Sequence, residues 1–195
     1  MTCPPSAQSN IAPFVNLEIN VVRPRLAAFG FRLATPEEVG PTLDLAERLL
    51  GTKLTPEPVV AAVHAYTGMT VWCRGNPQIS GFILSVPLTE SGERAIRSGD
   101  FVPSNPDKSH LVAPGEECFG FYCWVYGGVE KEDRRAVMTA CAILRVELIP
   151  TIPIFARGAT EDGQRSMASL GMVALPNSLP DLGVLEPTTS IEEAA

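Results

Sequence analysis

The sequence predicts a mixed α/β fold, an α+β arrangement on one mixed sheet, and three observations lead there. Two strand-like runs, Met69–Cys73 and Ile79–Leu84, flank Arg74-Gly75-Asn76-Pro77-Gln78, a turn-rich hairpin connection. The run Phe119-Gly120-Phe121-Tyr122-Cys123-Trp124-Val125-Tyr126 is apolar on both faces, as a central strand covered on both sides must be. Beyond it, strand-like and helix-like segments alternate to residue 175, which is the pattern of α/β units.

The elements follow in order. Residues 1–15 are Pro-rich and aperiodic and read as a loose tail. Thr35-Pro36-Glu37-Glu38 opens a helix: Thr caps, Pro takes the first helical position, and acids sit where the helix dipole favours them. Leu43, Leu45, Ala46, Leu49 and Leu50 supply its apolar stripe, and Gly51 ends it. Thr55-Pro56-Glu57 repeats the signal for a helix that carries His64 and stops at Gly68. No partner lies at helical spacing from His64, which therefore reads as packed or half-exposed rather than as a ligand.

After the hairpin, Thr89 to Gly99 reads as a short helix and Asp100 to Glu116 as a loop holding an exposed His110. Gly127-Gly128 is expected to break the central strand. The strongest helix follows at 130–146, with acids at its start and Ala136, Val137, Ala140, Cys141 and Leu144 on one side. A strand at 151–156, a helix at 161–170 and a short strand near Val173 close the domain. The boundaries are thus a tail at 1–15, a domain at 16–187 with an insertion at 86–116, and a solvated acidic tail at 188–195.

Composition narrows the function. At 195 residues, 45% hydrophobic and 19% charged, the chain has the make-up of one globular domain. A net charge of −7 argues against nucleic acid and anionic membranes as partners, since both demand a basic surplus. No run approaches the ~20 apolar residues of a membrane span. The start, Met1-Thr2-Cys3-Pro4-Pro5, has neither a basic stretch nor an apolar core, so a cytoplasmic location is expected. Five cysteines at 3, 73, 118, 123 and 141 match no zinc spacing, and an odd count fits reduced thiols; no metal is expected.

Common catalytic signatures are missing: there is no Gly-x-Ser-x-Gly, no Walker motif, no Gly-x-Gly-x-x-Gly and no His-Glu-x-x-His. Gly127-Gly128 before a helix is phosphate-friendly, because free N–H groups of a first helical turn attract anions. It is equally a plain strand-to-helix turn with Arg134 and Arg135 solvated.

The segment Ala156-Arg157-Gly158-Ala159-Thr160 through Ser169-Leu170-Gly171-Met172 carries a sharper signal. A strand, a short polar turn and a helix running into Leu-Gly-Met resemble the end of the GNAT superfamily of acyl-CoA N-acyltransferases. Gly171 would hold a left-handed cap and Met172 would re-enter the core. The earlier order is similar too, over roughly residues 34–176.

The resemblance implies an acyl-CoA-dependent N-acyltransferase. Acetyl-CoA or another acyl-CoA would be co-substrate and an amine the acceptor. It places Trp124, Val125 and Tyr126 where the central strand pairs with pantetheine, and Asp133, Arg134, Arg135 and Ala136 at the pyrophosphate turn. Glu117 is either the general base or a solvated strand-end acid. Arg157 either meets an anionic substrate or is solvated.

The departures are equally definite. Glu132-Asp133-Arg134-Arg135-Ala136-Val137 has none of the glycines of the superfamily's Arg/Gln-x-x-Gly-x-Gly/Ala. Met167 stands where the superfamily often has a tyrosine. Asp133→Gly is accordingly expected to relieve repulsion at a helix cost under ~1 kcal/mol. Two other readings remain open: a catalytically degenerate GNAT-fold binding protein, and an unrelated α/β domain. The insertion should cover the substrate side or form a subunit contact, which leaves a homodimer open.

Overall fold

The computed structural model describes residues 14–158, 160–176 and 178–187. Its frame is a seven-stranded mixed sheet in the order β1-β2-β3-β4-β5-β7-β6. The strands are β1 (Phe31–Leu33), β2 (Val71–Arg74), β3 (Gly81–Leu88), β4 (Gly120–Gly128), β5 (Ile154–Arg157), β6 (Val173–Ala174) and β7 (Leu182–Leu185). All pairs are antiparallel except β4 with β5. β4 is central, as its two-faced apolarity requires, and the order of helices, hairpin, central strand and long helix that the resemblance implies is present.

Side-chain alternation assigns the two faces. Trp72, Ile83, Phe121 and Ile154 look toward α1 (Ile19–Ala28) and α5 (Lys131–Ile143). On the other face, Val71, Cys73, Phe82 and Leu84 meet α2 (Pro36–Leu50) and α3 (Glu57–Thr67). Val86, Leu88, Tyr122 and Phe155 meet α4 (Glu90–Ser98) and the loop after it.

Several helix ends are as the sequence dictates. Thr35 and Glu38 make a capping box on α2, and Gly51 closes it at φ 68°. Thr89 caps α4 by accepting from the Gly92 N–H at 3.1 Å. Thr55 differs: it does not cap α3, and its hydroxyl donates instead to the Pro103 carbonyl at 3.3 Å.

α6 (Glu161–Ser169) ends in the expected left-handed glycine, Gly171 at φ 75°. Met172 N donates to Met167 O at 3.0 Å and Gly171 N to Ala168 O at 3.1 Å, the paired bonds of a Schellman cap.

Other expectations are corrected. α1 and β1 fill residues 19–33, where the sequence pattern predicts no element, and β7 follows a Pro-rich stretch. β3 runs on to Leu88, so the insertion into the sheet begins only at Thr89. The strong helix regularises only to Ile143, then widens into a π-helical turn at Leu144–Leu148. His110 is half-buried rather than exposed, its ring centroid 6.1 Å from that of Phe101. Of the presumed N-terminal tail, residues 1–13 lie outside the described residues, while Phe14 is buried. The acidic tail at 188–195 also lies outside them.

His64 is packed, not a ligand. Its Nδ1 accepts from the Val71 N–H at 3.2 Å, which leaves Nε2 to donate to the Ala34 carbonyl at 3.0 Å. Burial holds its pKa below the ordinary 6.5.

Candidate functional site

β4 outruns its parallel neighbour. The β4–β5 ladder joins Phe121 to Ile154, Tyr122 to Phe155 and Cys123 to Ala156, and then stops. From Trp124 to Gly128, β4 has a strand partner on the β3 side only. A bulge sits at the same level: Leu84 pairs with Val125 and Ser85 with Cys123, so Trp124 has no opposite number. Trp124 and Val125 consequently both pack toward α2 and α3, while Tyr126 turns to the α5 face. The parting and the bulge coincide with the positions 124–126 singled out from sequence.

On the α5 face the parting is bridged. The Tyr126 hydroxyl and Ser166 Oγ of α6 lie 2.9 Å apart, and burial raises the Tyr126 pKa. Cys123 on β4 and Cys141 on α5 lie on the same side, and burial pushes both thiols up, Cys123 to about 12. The four described cysteines are free thiols. Among the described residues no group of three His, Cys, Asp or Glu side chains is placed to hold a metal.

The start of α5 is not the open anion seat its position suggests. Gly127 and Gly128 are strand residues paired with Phe82 and Gly81, not a flexible turn. A Cβ on Gly127 would come within 2.9 Å of the Phe82 ring, and one on Gly128 within 2.8 Å of the α5 backbone at Asp133 and Arg134. The two glycines therefore let helix and ring approach the strand closely.

Glu130 and Asp133 form a reciprocal capping box, with the Glu130 N–H donating to Asp133 Oδ2 at 3.1 Å. Asp133 is buried at 5% exposure; it accepts from Ser80 Oγ at 2.8 Å and pairs with the Arg74 guanidinium. The helix dipole is thus met by the chain's own carboxylates.

The remaining candidates scatter. Ala136 is buried in the core against β4, so it faces no ligand. Asp133 likewise faces inward, which corrects its placing at a ligand-facing turn. Arg134 donates to the Val129 carbonyl at 2.7 Å and is otherwise exposed, as is Arg135. Glu117 is exposed and lies three residues before β4 begins at Gly120, at the end of the strand away from Trp124 to Gly128. Arg157 ends β5 on the Phe155 side and is exposed, anchored through Nε to the Pro180 carbonyl at 2.8 Å.

Sequence reasoning missed Arg74, Ser80 and Ser166. The spacing Glu130-x-x-Asp133 was the readable signal for the first two, since a self-capped start needs a counter-charge.

No protein-family model matches the chain, and no curated protein matches it. Among solved structures, the crystal structure of Ard1 from Thermoplasma volcanium is similar at a TM-score of 0.46 and 11% identity, over 79% of this chain and 93% of that one. GphF, a GNAT-like decarboxylase in complex with isobutyryl-CoA, is similar at a TM-score of 0.44 and 12% identity, over 71% of each chain.

Proposed function

We propose that the chain is a GNAT-type acyl-CoA-dependent N-acyltransferase whose acyl-pantetheine arm lies along β4 beyond Cys123. The observation that carries this reading is the central strand continuing to Gly128 without its parallel partner, with a bulge at Trp124. A strand with one bare side offers main-chain groups to an extended amide-bearing arm as an added strand would. An acyl thioester there would have its carbonyl polarised by main-chain N–H groups while an amine attacks. In this reading Arg134 and Arg135 supply the charge for the pyrophosphate, since Asp133 is engaged inside. Glu117 stands before the opposite end of β4, so in this reading water takes the amine's proton; the new C–N bond forms as the C–S bond breaks, and CoA leaves as the thiol.

A second reading has its own observation. The capping box at Glu130 and Asp133 and the Tyr126–Ser166 bridge close both places a CoA would use, as in a GNAT-fold protein kept for binding something else. Calorimetric titration with acetyl-CoA separates the two. The enzyme reading expects saturable binding that weakens in Arg134→Ala/Arg135→Ala, with the larger loss at low salt, where charge is least screened. Absence of binding by the folded wild type would leave the second reading.

A further inference from the structure

The loop after α4 crosses the face of β4 opposite α5, and one of its carbonyls has an unusual setting. Pro103 O accepts from Trp124 Nε1 at 3.1 Å and from Thr55 Oγ1 at 3.3 Å. The donors come from separate places, one at the β4 bulge and the other in the connection between α2 and α3. Between them opens a hollow of about 30 Å³, lined by Leu43, Leu54, Val60, Leu84 and Val125 besides the two donors. It has room for about two waters but an apolar wall that holds water poorly.

The local sequence explains how that carbonyl is presented. Asn105 N donates to Val102 O at 3.1 Å, so residues 102–105 form a β-turn with Pro103 at its second position. Proline there fixes φ, and the carbonyl of that position points out of the turn, free to accept. Behind the tip the loop is nailed down by Phe101, which is buried with its ring edge-on to Tyr122 at 5.5 Å. The tip itself is exposed: Val102 is 52% accessible, and Ser104 and Asn105 face solvent. The exposed tip, anchored behind by Phe101, thus meets two converging donors with a single oxygen.

We propose that this is a carbonyl-binding site held shut by the chain's own Pro103. Its ligand is an amide or ester whose carbonyl takes the place of Pro103 O between Trp124 Nε1 and Thr55 Oγ1. A methyl group next to that carbonyl fills the hollow against Leu43, Leu54 and Val60. Two directional donors over an apolar cup select this combination, because a ligand lacking the carbonyl leaves both donors unpaired. The site lies on the α2–α3 face of β4, and its occupation does not depend on acyl-CoA.

The chain has two tryptophans, so its ¹H–¹⁵N spectrum carries two indole signals, and Trp124→Phe identifies the one that matters. The probe is N-methylacetamide, an amide carbonyl flanked by a methyl group, titrated while both indole signals are followed. In wild type the Trp124 signal should move weakly, because Pro103 competes. Replacing residues 102–106 by two glycines should tighten probe binding at least tenfold and leave the buried Trp72 signal still. Adding Thr55→Val to the shortened loop should remove most of that gain. If the shortened chain loses its spectral dispersion, Pro103→Gly serves in its place, with a smaller gain of the same sign and the same sensitivity to Thr55→Val. A Trp124 signal unmoved by the probe in the folded loop variant, or a gain that survives Thr55→Val, overturns the proposal.

Discussion

The two halves of β4 are built from the same kinds of residue and live in different surroundings. Phe121, Tyr122 and Cys123 lie between β3 and β5, and the first two are at most 4% exposed. Trp124, Val125, Tyr126 and Gly127 are half-buried, with a strand on one side and the Tyr126–Ser166 bridge on the other. Hydrophobicity is continuous along the strand; what changes is the neighbour. β5 is four residues long and leaves the sheet after Arg157, and the bulge at Trp124 turns the strand at that level. The comparison teaches that one side of a central strand can be left without a neighbour by ending the partner strand early.

The largest test of that contrast is truncation in each half. Phe121→Ala should cost about 4 kcal/mol, because it empties a fully packed position in the α5-side core. Val125→Ala, at the half-open end, should cost about 1 kcal/mol. Urea unfolding of both, with unchanged m-values, makes the comparison. Equal losses would mean that the two halves are packed alike.

Next in size is the closed start of α5. Asp133→Asn keeps shape but weakens the pairing to Arg74 and Ser80, and should cost about 2 kcal/mol, less than a fully buried pair because Arg74 keeps 20% side-chain exposure. Asp133→Gly should cost more still, since it also removes a cap; the sequence-based expectation of under ~1 kcal/mol neglected both partners. A thermal melt of Asp133→Asn within 1 °C of wild type would mean that the network holds nothing.

Much of the frame was legible, for physical reasons that also explain the gaps. Thr35 with Glu38, Thr89 and Gly171 are local signals, where a residue's own hydroxyl, carboxylate or left-handed freedom sets the structure within a turn. α1 escaped because Pro24 interrupts it and only Ile19, Val22 and Leu26 are buried, too few for a visible stripe. β7 escaped because its register comes from β5 and β6, not from its own four residues.

At the candidate site, the end of the β5 ladder and the bulge fall at the run 124–126 that the sequence singles out. Gly127-Gly128 was misjudged because glycine serves close approach as readily as it serves a turn. The inward role of Asp133 depends on Arg74, 59 residues away, which no local pattern joins to it.

A third effect belongs to the packed edge of the sheet. His64 is neutral between Ala34 and Val71, with its pKa depressed by burial, whereas unfolded it titrates near 6.5. Below 6.5 the unfolded chain binds more protons than the folded one. The stability is therefore whole above that pH and is lost as pH falls through the depressed value, at most ~1.4 kcal/mol per pH unit. His64→Gln, which does not titrate, should flatten the stability profile between pH 6.5 and pH 5. A variant profile as steep as that of wild type would assign the slope to carboxylates instead.

The smallest expected effect lies in the open half and decides how open it is. Tyr126→Phe removes one hydroxyl from the bridge to Ser166 and leaves the aromatic ring in place against the α5 face. A neutral hydrogen bond contributes about 1 kcal/mol net, and Ser166 is only half-buried, so water can replace the lost partner. The stability loss should stay near 0.5 kcal/mol. The loosening should instead be local: amide exchange should quicken from Trp124 to Gly128, where no strand flanks the α6 side, and stay unchanged from Phe121 to Cys123. If exchange quickened equally along all of β4, the bridge would be a support of the whole strand and the parting would be no separate region at all.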